Sequence, residues 1–273
     1  MKKIAYCFVI LIAFLLNSCE EVVQVNLDTA PPKLVIEASI NWKKGTTGNN
    51  QKIKLTTTTD FYNPIIPKVS GAIIYIKNSS NQTFTFLEIP KTGEYICSSF
   101  LPMLNETYKL TVIHNGNTYT ATETLKSVAP ITKIVQNDAG GITGKDIEIK
   151  TYFNDPANES NYYFYKYAYS DQLKSNYYAA DDALFQGNEF FSKSQNDEIK
   201  SGDLIEITHY GVSKTYYNYL KVLVSIAGSN SGGPFQSPPA TVRGNIINTT
   251  DFANYPLGYF SLSEVDVRSY TVK

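Results

Sequence analysis

Short runs of alternating apolar and polar residues, separated by turn residues, recur along the first half of this chain. Leu34, Ile36, Ala38 and Ile40 fall on one face of an extended segment. Ile53 and Leu55 do the same within Gln51–Thr57, after a polar, Gly-containing connection at Lys43–Asn50. Ala72–Lys77, Thr83–Leu87, Glu94–Cys97 and Thr107–Ile113 continue the series, and Asn115-Gly116 turns the chain back through Thr118–Leu125. A period of two puts one face in a core and the other in water, and Asn-Gly between two such runs is a strong hairpin signal. Roughly seven short strands at this spacing predict an Ig-like or transthyretin-like β-sandwich over residues 33–126.

Ser127-Val128-Ala129-Pro130 reads as a boundary, and residues 131–273 as a second, mostly β domain. Asp146–Phe153 alternates and stops at the turn Asn154-Asp155-Pro156. Asn161–Ser170, Leu204–Tyr210 and Tyr259–Val272 read as further strands, and Ala240–Ile247 as a run leading toward the last of them. Near 213–226 the spacing changes to that of a helix, with Tyr216, Tyr219, Leu220, Leu223 and Val224 along one stripe and Ser213 as the N-cap. The abundance of tyrosine, 21 residues, together with Thr, Asn and Ser, suits strands and turns.

The start of the chain gives an address. Lys2 and Lys3 precede an apolar run, Ile4–Leu16, too short to span a bilayer as a helix but of the length of a signal-peptide core. It ends in Leu16-Asn17-Ser18-Cys19, which resembles a bacterial lipobox. Residues 1–18 are thus expected to be a lipoprotein signal peptide, Cys19 the lipidated residue, and 19–32 a tether containing Pro31-Pro32. The attached acyl chains would anchor the protein, since each buried methylene contributes about 0.8 kcal/mol. Glu20-Glu21 resembles a surface-export signal of Bacteroidota lipoproteins, and Asp28-Thr29-Ala30 their short O-glycosylation motif. With Cys7 in the signal and Cys19 lipidated, Cys97 stands alone; it is expected to be a small buried apolar residue.

Charges nearly cancel, 24 basic against 25 acidic residues, which leaves no basic field for nucleic acid. His114 and His209 are the only histidines, and no spacing of a zinc site is present. Asp155, Asn158 and Glu159, or Asp181-Asp182, could offer oxygens to calcium, but such clusters are ordinarily turns. No Gly-x-Ser-x-Gly elbow occurs, so no catalytic residue, cofactor or metal is assigned and the chain is not expected to be an enzyme. The candidate ligand-binding residues are Tyr163, Tyr165, Tyr167 and Tyr169, which alternation places on one face of Tyr162–Tyr169. A row of rings could stack on sugars or peptide side chains; the alternative is a sheet face buried under the helix. Ala179–Glu189, between Tyr177-Tyr178 and Phe190-Phe191, reads as a mobile loop that could carry binding.

Several features then coincide in order: the lipobox, Pro32–Glu37, Val69-Ser70-Gly71-Ala72, Phe153-Asn154-Asp155-Pro156, Asn161-Tyr162-Tyr163, Tyr219-Leu220, Gly232–Phe235, Ser237–Ala240, Gly244-Asn245-Ile246 and Leu257–Ser261. In this order they resemble the DUF4249 family of Bacteroidota outer-membrane lipoproteins. The resemblance implies a lipoprotein often encoded beside a TonB-dependent transporter, and it implies no catalytic residues. The expected role is an accessory binding module of TonB-dependent nutrient uptake, anchored in the outer membrane and exposed at the cell surface, with the periplasmic face as the alternative orientation. An independent glycan- or peptide-binding lipoprotein and an unrecognised hydrolase are the alternatives.

Overall fold

The computed structural model describes residues 31–60, 63–141, 144–170, 175–194, 196, 198–227 and 242–273. The signal segment, Cys19, Glu20-Glu21, Asp28–Ala30, Gly232–Phe235 and Ser237–Ala240 lie outside them. Fifteen strands and one helix occur among the described residues, so the fold is mainly β. The first seven strands are β1 (Leu34–Lys43), β2 (Gln51–Thr57), β3 (Ile73–Asn78), β4 (Thr83–Ile89), β5 (Glu94–Cys97), β6 (Thr107–His114) and β7 (Asn117–Thr124). They form the expected Ig-like sandwich. β1, β2 and β5 make one layer; β3, β6 and β7 make the other. β4 belongs to both: Phe84 and Phe86 pair along β3, while Leu87–Ile89 pair with β5. Inward residues of both layers, including Ile36, Ile40, Ile53, Leu55, Ile76, Tyr95, Tyr108 and Leu110, meet in one core. Burying such side chains contributes roughly 1.5–3 kcal/mol each.

The remaining strands are β8 (Ile131–Gly140), β9 (Asp146–Asn154), β10 (Tyr162–Tyr169), β11 (Ser175–Asp181), β12 (Glu189–Lys193), β13 (Leu204–Gly211), β14 (Ile247–Asn248) and β15 (Leu257–Thr271); the helix α1 is Lys214–Ala227. The region read as several final strands is one long strand. β15 pairs in parallel with β1 from Val35–Leu257 to Lys43–Val265, then antiparallel with β13. The first layer therefore continues as β11-β10-β13-β15-β1-β2-β5. Phe260 and Leu262 of β15, with Ile246, complete the core of the sandwich. Pro32–Lys273 forms one compact unit.

The segment after β7 is strapped to β15 rather than left as a loose linker. Lys126 C=O accepts from Glu264 N–H at 2.9 Å. Val128 N–H donates to the Glu264 carboxylate at 3.0 Å, and Ile131 N–H to that of Asp266 at 2.8 Å. Both carboxylates are buried, and these charge-assisted bonds satisfy them. Beyond this strap, β12-β9-β8 form a separate three-stranded sheet that covers one face of β10 and β13. The helix α1 covers the opposite face of β10, through Phe164, Tyr217 and Leu220. Its start agrees with the sequence: Ser213 Oγ accepts from Tyr216 N–H at 3.1 Å, the N-cap geometry. Leu223, placed on the buried stripe by spacing, is instead exposed; Tyr217 takes that role because the helix leans toward β10 and β11.

Candidate functional site

The tyrosine strand is the centre of a core, not a binding surface. Tyr163, Tyr165, Tyr167 and Tyr169 are at most 5 % exposed. Their face is closed by the three-stranded sheet, whereas the helix closes the other. Tyr163 Oη donates to Asp155 Oδ1 at 2.5 Å. Tyr167 Oη lies 2.6 Å from Ser192 Oγ and 3.2 Å from Thr151 Oγ1, and Tyr169 Oη accepts from Asn176 at 3.4 Å. Burial pushes all four phenols above their ordinary range, Tyr167 to about 12. Of the two readings, the open stacking row gives way to the buried sheet face, with the three-stranded sheet in place of the helix as its cover. Alternation places the residues on one face, but only the pairing of β8, β9 and β12 into a second sheet decides what lies over that face.

Within this core two polar groups lack partners among the described residues. The hydroxyl of Tyr165 and both ring nitrogens of His209 are buried without hydrogen bonds. The His209 ring stacks on Tyr165 at 4.8 Å and 24° and lies 4.6 Å from Phe153. Burial lowers the imidazole pKa to about 3, with the nearby Ala129 backbone offsetting a small part of this. His209 is therefore a neutral member of an aromatic box.

The polar loops are also tied down. The segment expected to be a mobile loop, Ala179–Glu189, begins within β11 and ends in β12. Its turn is pinned by Phe185, which stacks on Phe190 at 3.8 Å, and by Gly187 N–H donating to Asp155. Leu184 projects from it, 97 % exposed. Asp182 accepts from Asn161 N–H and Asp181 from Tyr217 Oη, so these carboxylates, like Asp155, bind the protein itself, while Glu159 lines the cleft described below. Among the described residues no three His, Cys, Asp or Glu side chains gather as metal ligands. His114 flanks the Asn115-Gly116 turn half-buried, and Cys97 is buried in the sandwich core.

An open polar site lies elsewhere. At the seam between the sandwich and the second region is a cleft of about 190 Å³, lined by Asn105, Lys126, Glu159, Asn161, Tyr162 and Lys214 among others. Lys126 leaves β7 at the strap, and Lys214 is the first residue of α1. Neither lysine is ion-paired with a described residue. Behind them Glu123 is buried, bonded by Ser213 Oγ at 3.0 Å and Thr124 N–H at 2.9 Å; burial raises its pKa. The seam is tight because Gly211 packs directly on Ser127: a Cβ there would lie 1.8 Å from the Ser127 carbonyl oxygen. Sequence reasoning missed this site. Its residues come from four stretches of chain, and no local spacing joins them.

A sequence profile described as "Domain of unknown function (DUF4249)" matches residues 20–269. The chain belongs to the DUF4249 family. No curated protein matches it. Among solved structures, a two-domain fibronectin type-III segment of chicken tenascin is similar at 14 % identity, covering 66 % of this chain and 90 % of that one, with a TM-score of 0.22. The fold described above stands on its own strand pairing. In this DUF4249 chain the residues that carried the resemblance are structural where they are described. Pro32–Glu37 leads into β1, Asp155 holds Tyr163 and Gly187, and Tyr219 packs 4.6 Å from Tyr259. Gly244 and Gly258 pack backbone to backbone, a Cβ on Gly244 meeting the Gly258 carbonyl oxygen at 1.7 Å. The DUF4249 pattern thus records how the sheets close.

Proposed function

We propose that this chain is a lipid-anchored accessory module of the outer membrane that docks on a TonB-dependent transporter. The leader and Cys19 supply the anchor in this reading, and the family resemblance supplies the class of partner. The observation that carries the docking is the seam cleft. It offers the ammonium groups of Lys126 and Lys214, neither ion-paired among the described residues, two carboxamides and the Glu159 carboxylate, a set complementary to a polar or acidic loop of a partner. A polar rim of loop residues carried on a rigid sheet frame is a common place for a partner contact.

The test is a crosslinking pull-down from native outer membranes with tagged full-length protein and Cys19 intact, beside a Lys126→Glu/Lys214→Glu variant. A transporter recovered with the parent and lost with the variant supports the reading. Recovery that ignores the variant moves the contact off the cleft. No recovered transporter with either protein overturns the accessory role; glycan and peptide arrays would then address the cleft as an independent ligand site.

A further inference from the structure

One end of the sandwich gathers everything needed to lie on a lipid surface. The strand registers fix that end: Leu34 pairs Thr57, Lys54 pairs Glu94, Glu94 pairs Ile89, and Ile73 pairs Ile113. The start of β1, the loop after β2 and the β6–β7 hairpin therefore share it. The loop before β15 shares it too, because Leu257 stands beside Val35 and Thr250 Oγ1 accepts from Thr118 N–H. Three large apolar side chains project there: Ile65 at 72 % exposure, Ile66 at 57 % and Phe252 at 72 %. Ile73 at the start of β3 and Leu87 and Ile89 toward the end of β4 are exposed as well. At the same end Lys33 Nζ and the Arg243 guanidinium each lie 3.5 Å from the centre of the Tyr255 ring. Basic and phenolic groups of this kind favour the headgroup level, where one end is apolar and the other wet.

We propose that this end is the face the domain lays on the bilayer, with Ile65, Ile66 and Phe252 entering the headgroup boundary. The inference rests on lipidation at Cys19. Cys19 lies 14 residues before Lys33, where the chain joins this same end. A tether of that length reaches at most about 45–50 Å, so the surface stays at high effective concentration and a modest apolar contact suffices. A free protein partner has no such advantage. Lys33, Lys68, Lys91 and Arg243 are offset by Asp60, Glu88, Glu94 and Asp251 at the same end, so the contact is apolar in character and works on zwitterionic lipid.

The experiment uses full-length lipidated protein on phosphatidylcholine vesicles with brominated acyl chains, which quench nearby indoles. Trp42, the only tryptophan, sits at the far end of β1 and reports the baseline. An added Ile65→Trp, or separately Phe252→Trp, loses most of its emission on brominated vesicles while Trp42 alone keeps its own. Protein that floats with the vesicles yet keeps the added emission is held off by its tether, and the proposal is wrong. Shielding that instead scales with protein density on unbrominated vesicles marks a second copy as the occupant, and also overturns it. Protein that does not float shows that the anchor reading has failed, and this inference with it.

Discussion

The carboxamide of Asn245 pairs twice with the backbone of Phe260: its nitrogen donates to the Phe260 carbonyl at 2.8 Å and its oxygen accepts from the Phe260 N–H at 2.9 Å. One side chain thus stands in for a strand residue beside β15, where Gly244 has brought the backbone close. Asn245→Ala is expected to cost about 1–3 kcal/mol by leaving both groups unpaired. Chemical denaturation reads the change. An equal loss from Gly258→Ala is expected on separate grounds: Gly258 has φ of +96° and a Cβ would lie 2.1 Å from the Ile36 carbonyl oxygen.

Tyr163 and Tyr165 are expected to respond oppositely to substitution. Tyr163→Ala empties a filled core position and strands Asp155, a loss of about 3–5 kcal/mol for the ring alone. Tyr165→Phe removes a hydroxyl that has no partner, and is expected to be neutral or slightly stabilising. A thermal melt distinguishes the two. Loss of any ligand on Tyr163→Ala would therefore report unfolding before it reported a lost contact.

His209 gives the fold an acid sensitivity. Its folded pKa of about 3 lies below the ordinary 6.5. Between those values the unfolded chain takes up a proton that the folded chain refuses. Stability from this group is complete above pH 6.5 and falls as pH drops toward 3, by about 1.4 kcal/mol per unit at most. His209→Phe is expected to flatten that slope and to leave the protein at least as stable at pH 5. Unfolding midpoints across pH 3–7 test it; an unchanged slope would place the sensitivity elsewhere.

At the cleft, Lys214→Glu is expected to leave the melting temperature within a degree or so of the parent, whereas Lys126→Glu, at a half-buried position in the field of buried Glu123, is expected to lower it. Isolated surface charges contribute little to stability. Any partner binding lost with Lys214→Glu would then belong to the site and not to the fold.

The sandwich was legible because its strands are amphipathic and local turns connect them: Asn115-Gly116 and the Ile74/Ile76 alternation need no distant information. Ser213 as N-cap was legible for the same reason. β8 was not, since Ile131–Gly140 is mostly exposed and carries little apolar rhythm. β11 was hidden by half-buried residues on both faces, Asn176 to Asp181, which blur the alternation. The role of Tyr163–Tyr169 was undecidable from period alone, because a strand covered on one face and a strand covered on both look alike when tyrosine fills either position. The seam cleft was illegible because its geometry depends on the close approach of Gly211 to Ser127, which no spacing reveals.

The parallel pairing of β1 with β15 sets a timetable. The partner of Val35 is Leu257, more than two hundred positions later, and a contact of that span forms slowly. Until β15 arrives, β1 has one free edge and the sandwich core lacks Phe260 and Leu262. A chain emerging from N to C terminus is therefore expected to stay open until its final fifteen-residue strand is delivered, so a passenger of an export channel would remain threadable for nearly its whole length and snap shut only on arrival.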